Sequence, residues 1–596
     1  MTLSNKPYKA LDAIWLTFRV SPICAALNIF LTIVHAVLPT AAMALATANF
    51  VDTATAILDG TRLREDIYLP LVLLLVVLGA FTANGAIIVL VRARIRLNLE
   101  RKLKPAIVEI RAALDYMHIE NAKSWELISR VSRDPVMSVI YGKNSFLQII
   151  LLTVSISSIL ALIVAQVWWA AFIIVAFSAP MFWLSMRAGK KNYQASRDAE
   201  KYNRRTEYLS EVLTDRDNAE ERTLFNYGEK VNKHWHEHYE KGRVLEMKVQ
   251  AKMFMVVKGS SILLAVVGLL IALTLIGPVI AGSLSAGMFM GILSAVFGMI
   301  NQLGWKMSSA VDNISRVSEY MKDLTALISL SQSDGVLDEP VAEPEDFHSL
   351  EFRNVRFRYP SGGIYVLNGL SFSLNAGKHY AFVGKNGAGK TTITKLLTGL
   401  YSGYEGEIFV NGKELRTYPA CAIKALFSVV YQDFAKYNIP LKDNIAIGDI
   451  CGNDNEKRIP DAARQAGLGE LISGLKDGIN TPLGRIKAGG QDISGGQWQK
   501  VAIARSLISR APVKMLDEPT AALDPISESR VYEEFEKLMR GKTTVFISHR
   551  LGSTKLADEI LVIDNGQIAE RGTHSELMAI GGQYAEMYES QRSWYQ

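Results

Sequence analysis

The charged residues of this chain leave four long gaps, and all four lie before residue 306. Residues 20–51 carry no charge apart from His35, residues 70–91 carry none, residues 144–186 are uncharged over 43 positions and residues 259–305 over 47. A helix crosses the hydrocarbon core of a bilayer with about 20 apolar residues, and that core excludes open, irregular backbone. The first two gaps therefore fit one crossing each, and the last two fit two crossings each with a tight turn between them. Six membrane helices are expected, at about 21–49, 67–91, 144–165, 168–187, 257–278 and 284–305. The paired Trp168 and Trp169 mark one turn, near 166–169, as interfacial, while Gly277, Pro278, Gly282 and Gly287 serve as helix breakers for the other.

Basic residues in the connections set the orientation. Residues 92–143 hold 11 Lys and Arg and residues 187–258 hold 16, whereas residues 50–69 hold two. The two long, helically periodic loops therefore face the cytoplasm. Residues 4–20 place Leu11, Ile14, Trp15 and Phe18 beside Lys6, Lys9 and Arg19, the pattern of an interfacial helix, with a solvated leader as the alternative. No cleavable signal peptide is expected, since Asp12 and Arg19 interrupt the N-terminal segment. The net charge of +6 comes from basic residues beside apolar tracts rather than from an aromatic-interleaved patch, which points to membrane orientation and not to nucleic acid. Cys24, Cys421 and Cys451 have no metal-ligand spacing and imply a reducing compartment.

The composition changes at residues 331–349, a polar, acidic, proline-bearing stretch (DEPVAEPED) that reads as a linker. Beyond it, residues 350–359 and 380–384 have the pattern of strands. The second of these runs into GKNGAGKT (Gly384, Lys385, Asn386, Gly387, Ala388, Gly389, Lys390, Thr391), followed by Thr392 and a helical pattern. This is the G-x-x-x-x-G-K-[ST] phosphate loop in its strand-loop-helix context, where backbone N–H groups wrap phosphates and a lysine neutralises them. About a hundred residues on come ISGGQ (Ile493 to Gln497) and MLDEPT (Met515 to Thr520).

These motifs in this order, behind six apolar spans, resemble the ATP-binding cassette (ABC) transporter family. Nearly the whole chain resembles the type IV, exporter-fold half-transporters. The fold class implied is a membrane α-helical domain (1–330) of six transmembrane helices, the linker (331–349), and a cytoplasmic α/β P-loop ATPase domain (350–596). The resemblance implies ATP and Mg²⁺ as cofactors. Lys390 would contact the β- and γ-phosphates, with the loop from Gly384 to Thr392 around them; Thr391, Gln432 and Asp517 would serve the metal. Glu518 would orient or deprotonate the attacking water, and His549 would bond the γ-phosphate. Tyr359 resembles the aromatic that stacks on adenine, though a tyrosine at a strand end is equally a packing residue. Ser494, Gly495, Gly496 and Gln497 open a helix whose N-terminus suits phosphate, and Asp524 belongs to the D-loop pattern. In this family the signature meets ATP held by the opposite cassette, so a chain with one cassette implies a dimer. A homodimer is preferred; a heterodimer remains open.

Three features depart from the family pattern: Ile493 replaces a leucine, Lys514 interrupts the apolar strand before Asp517, and residues 485–491 lack an acidic stretch common in exporters. By the same resemblance, the tips that couple cassette to spans fall near 118–125 and 214–221. Cargo is poorly encoded. Asn28, His35, Asn84, Gln148, Asn301 and Gln302 are polar groups in apolar spans and mark either a cavity or contacts between helices. The leading expectation is ATP-driven export of amphipathic or peptide-like compounds across a bacterial cytoplasmic membrane. The alternatives are uptake of a metal–siderophore complex, flipping of a lipid or lipid-linked oligosaccharide, and a sensor that moves no cargo.

Overall fold

The computed structural model describes residues 3–166, 202–216, 218–360, 362–452, 454–484, 489–517, 541–548 and 553–592, with seven single positions between 167 and 201. The chain divides into two units: Met1–Arg111 with Glu126–Ser329, and Ala112–Trp125 with Leu330–Gln596.

The first unit is helical. Asp12–Val20 buries Ala13 and Leu16 and leaves Leu11 and Trp15 exposed, with Lys6 held over the Trp15 ring at 4.2 Å. The next helical run, Pro22–Leu58, contains a π-helical turn at Leu38–Ala42. Pro39 sits in that turn and has no N–H to give to the regular ladder, which explains the local widening. Long helices follow: Tyr68–Ala113, Pro135–Gln166, Gly228–Ile280 and Ala286–Ile328. Among the described residues, Pro22–Leu58, Arg64–Ala113 and Pro135–Ala165 are long and apolar enough to span a membrane. At 1.5 Å per residue Tyr68–Ala113 is about 69 Å long, far more than a bilayer needs, and the charged residues of the helix lie in its second half, from Arg92 on.

One turn differs from expectation. Gly277 and Pro278 lie inside the helix that ends at Ile280, and Gly287 lies inside the next. The chain reverses at Gly282, whose φ of +72° only glycine adopts readily. The Gly277 carbonyl accepts from Ala281 N (2.9 Å) and the Pro278 carbonyl from Ser283 N (3.0 Å), so the turn itself satisfies the helix end. Asp52 then caps the following helix, accepting from Gly287 N at 2.7 Å and Ser285 Oγ at 2.6 Å. At Gly287 and Gly291 a Cβ would run into the carbonyl oxygens of Ala48 and Ala44, so two helix backbones touch along a small-residue stripe.

The second unit is α/β. Its main sheet comprises β3 (His379–Val383), β6 (Phe427–Val430), β7 (Val513–Asp517), β8 (Thr543–Ile547), β9 (Glu559–Asp564) and β10 (Gln567–Gly572), in the order β10-β9-β3-β8-β7-β6. Only β10 runs antiparallel to its neighbour. Every residue of β3, β7 and β8 is buried, as for central parallel strands covered on both faces. A smaller antiparallel sheet has the order β2-β1-β4-β5, with β1 at Ser349–Phe357, β2 at Leu367–Asn375, β4 at Glu405–Val410 and β5 at Lys413–Glu414. Between the two sheets Phe352 stacks on Phe372, with ring centroids 4.5 Å apart, and Phe372 meets Phe382 edge-to-face at 5.6 Å. The acidic stretch expected as a linker lies along this unit: Lys424 Nζ donates to the carbonyls of Val336 (2.6 Å) and Asp338 (2.7 Å), and Phe347 is buried.

Candidate functional site

The site grows from the end of β3. The backbone leaves Val383 into Gly384, where φ is +153° and a Cβ would run into the Ile563 carbonyl oxygen. The loop closes at Gly389, with φ +106° and a prospective Cβ only 2.6 Å from Leu367 Cδ2. Both positions need glycine. The helix Lys390–Leu397 starts immediately after, so its free N–H groups and its positive dipole end face the loop. Lys385, Asn386 and Gly387 are exposed on the loop's rim and Ala388 is buried beneath it. Lys390 is 4% exposed, and its Nζ donates to the loop's own carbonyls at Gly384 (2.7 Å) and Lys385 (2.9 Å). Thr391 is exposed at the first turn, whereas Thr392 is buried and shares a 3.0 Å hydrogen bond with the Tyr359 hydroxyl.

Strand ends bring the acidic group to the same edge. Asp517 closes β7 at 1% exposure and pairs across to Ile547 of β8, while Ser548 N donates to Phe382 O at 3.3 Å. The carboxyl ends of β3, β7 and β8 thus align, the place where open α/β sheets bind ligands. Gln432 is exposed just past β6, the strand beside β7. Glu518, Asp524 and His549 lie outside the described residues; the first follows Asp517 directly and the last follows Ser548.

Ser494 caps the helix Gly495–Ile508 through a reciprocal box: its Oγ accepts from Gln497 N (3.3 Å), and Gln497 Oε1 accepts from Ser494 N (2.8 Å). The N-terminus of that helix, with Ser494 and Gly495, is exposed.

Several positioning residues carried no motif signal. Arg505, on the same helix, donates to Asn444 Oδ1 (2.6 Å), Asn444 O (3.0 Å) and Ala435 O (2.8 Å), and so grips the segment that follows Gln432. Lys514, which looked like a flaw in β7, is fully buried, with Nζ donating to Ser506 O (2.8 Å) and Ser509 O (2.7 Å). It satisfies carbonyls at the C-terminus of the signature helix. Burial, with Lys542 and Arg458 nearby, drives its pKa well below the ordinary lysine value. The helix bearing Ser494 and the strand bearing Asp517 are thereby tied together.

Residues 367–521 match the family described as ABC transporter. The chain carries an ABC transporter cassette. The chain is 38% identical over 285 residues to the subtilin transport ATP-binding protein SpaT of Bacillus subtilis, covering 48% of this chain and 46% of SpaT. It is 39% identical over 273 residues to an ATP-dependent lipid A-core flippase of Alkalilimnicola ehrlichii, covering 44% and 46%. The chain thus spans about half the length of the curated relatives it matches. A solved structure of a bacterial Atm1-family ABC exporter with ATP bound superposes with a TM-score of 0.78 over 96% of this chain and 98% of that one, at 21% identity. The fold around the cassette is therefore that of an ABC exporter, a helical membrane domain followed by the ATPase domain.

Proposed function

We propose that the chain is an ATP-driven transporter of the bacterial cytoplasmic membrane that works as a dimer and exports amphipathic or peptide-like compounds. The observation that carries this reading is the phosphate loop built on β3, with Lys390 centred in it, Asp517 buried at the neighbouring strand end, and an exposed Ser494 helix N-terminus in the same unit. ATP would take the loop carbonyls' place on Lys390 and receive the N–H groups of Gly387 to Thr392. Tyr359 would stack on its base. An exposed hydroxyl on Thr391 and the carboxylate of Asp517 are hard oxygen donors suited to Mg²⁺, with Gln432 beside them. The metal, when bound, supplies charge neutralisation at the phosphates. Glu518 would take the proton of the attacking water and His549 would bond the γ-phosphate. Ser494 and its helix N-terminus would complete the site of the partner copy, giving two composite sites.

Export rather than uptake is supported by the exporter fold and by the described roles of the relatives, one a subtilin transport protein and another a lipid A-core flippase. The test is a liposome assay with purified chain, ATP outside, and a panel of labelled peptides, drugs, lipids and siderophores. Movement of a peptide-like or amphipathic compound to the cassette-distal side supports export. ATP-dependent accumulation on the cassette side would replace it with uptake, and hydrolysis with no cargo moved would leave the sensor reading.

A further inference from the structure

In the helical unit, Lys143 is 4% exposed on the helix Pro135–Gln166, and its ammonium has neither a hydrogen bond nor an ion pair among the described residues. The charge that acts on it is another cation, Arg92 of Tyr68–Ala113, itself exposed and without an ion pair among the described residues. A buried ammonium with no counter-charge is costly, and a second cation beside it adds to the cost. Hydrogen bonds between the helices show what shares this level. Thr40 Oγ1 meets Ser158 Oγ at 2.9 Å and Ser155 Oγ donates to Ala36 O at 3.2 Å, so Pro22–Leu58 runs parallel to Pro135–Gln166, with Asn28 at about the level of Gln148 and Cys24 at about that of Lys143. Asn84 Nδ2 donates to Leu31 O at 3.0 Å and Asn98 Nδ2 to Ser21 Oγ at 3.2 Å, so Tyr68–Ala113 runs antiparallel to Pro22–Leu58 and brings Arg92 to about the level of Ala25. Within one helical turn of the two cations, polar atoms are left unbonded among the described residues: Nδ2 and Oδ1 of the fully buried Asn28, Oδ1 of Asn144 and Nε2 of Gln148.

Buried polar groups in folded proteins are as a rule hydrogen-bonded, so two unpaired cations and these amides in one layer describe a site that a bound anion completes. Bonding between spans is the other role open to such amides, and Asn84 fills it; Asn28 and Gln148 leave their N–H groups unused. The uncharged run at 70–91 ends at Arg92 and the run at 144–186 begins after Lys143, so the layer lies where the apolar tracts meet the basic connections. An amphipath places its head at that depth and its tail among the spans. We infer that Lys143 and Arg92, with the N–H groups of Asn28 and Gln148, bind an anionic head, a phosphate or carboxylate, of the transported compound. The cargo class is then an anionic amphipath, not a neutral or cationic one. The acceptors Asn28 Oδ1 and Asn144 Oδ1 take a hydroxyl or water beside that head. The inference rests on the export reading above and gives its cargo a charge.

The test is titration calorimetry of the full chain in phosphatidylcholine nanodiscs, without nucleotide and against empty nanodiscs, with dodecyl phosphate, dodecylammonium, dodecyl maltoside and inorganic phosphate. Dodecyl phosphate is expected to bind at least about tenfold more tightly than the other two amphipaths, the least that one charge-assisted hydrogen bond provides. Lys143→Met should erase that preference without lowering the unfolding temperature, because it removes a buried charge that has no partner, and Lys143→Arg should keep it. Arg92→Gln, at an exposed position, should weaken dodecyl phosphate binding independently. No preference in the wild-type chain, or a preference that survives both Lys143→Met and Arg92→Gln, would overturn the proposal. Inorganic phosphate binding as tightly as dodecyl phosphate would mark a free-anion site and overturn the assignment to cargo. Failure of the export reading has a separate signature: selective binding intact, ATP hydrolysed, and no dodecyl phosphate moved across liposomes.

Discussion

At the scale of single residues, the cassette is organised by groups whose surroundings leave them one role. Lys390 is buried, and two loop carbonyls bond its ammonium. These carbonyls hold the side chain beside the loop, where phosphate charge would be met. Charge-assisted hydrogen bonds contribute about 1.5–3 kcal/mol each, so Lys390→Ala should weaken ATP binding by about 10- to 100-fold, read by equilibrium titration with a fluorescent ATP analogue. Unchanged affinity would remove Lys390 from the site. The loop was legible in the sequence because its φ requirements admit so few residues: Gly384 and Gly389 are glycines where backbone and Cβ space both demand it. Lys395 and Glu120 were not legible, since a lysine inside a helix and a glutamate 275 residues away give no sign of pairing until the fold brings them together.

At the scale of elements, strand β7 and the Gly495–Ile508 helix form one mechanical piece, joined by a lysine that the strand's apolar pattern would not predict. Burial has already pushed the Lys514 amine toward its neutral form, so replacement by Met gains little from desolvation. It leaves Ser506 O and Ser509 O without their donor. Lys514→Met should cost about 1–3 kcal/mol, visible as a lower unfolding temperature of the full chain. The pH dependence has a definite sign. The folded-state pKa is depressed, so the fold binds fewer protons than the unfolded chain, and stability from this group rises as pH climbs from the depressed value toward 10.5. Lys514→Met should lose that rise. In the helical unit, Gly291 packs on the Ala44 backbone with no room for a side chain. Gly291→Leu should therefore separate two spans and reduce the yield of monodisperse detergent-solubilised protein, while Gly79→Leu, where a Cβ meets nothing within 4 Å, should not. The uncharged runs at about 21–49, 67–91 and 144–165 fall on helices long and apolar enough to cross a membrane, the expected span at 168–187 lies outside the described residues, and helix ends were not legible. Gly277 and Pro278 looked like breakers, yet the helix runs two residues past Pro278 to Ile280, and the N–H groups of the turn satisfy the Gly277 and Pro278 carbonyls at its end.

At the scale of the whole molecule, a single chain offers one phosphate loop and one signature helix. The account requires that the two act on different ATP molecules, each completed by the partner copy. The acidic stretch at 331–349 reads by composition as a linker, but its packing along the cassette through Lys424 was not legible, because backbone carbonyls that accept from a lysine leave no mark in side-chain pattern. The most direct measurement is the nucleotide retained by purified Glu518→Gln chain in nanodiscs after gel filtration, alone and combined with Ser494→Arg. The account predicts one ATP retained per chain on particles of two chains, and loss of that retention when Ser494→Arg spoils the partner's half of each site. ATP retained on single chains, or retention indifferent to Ser494→Arg, would contradict it.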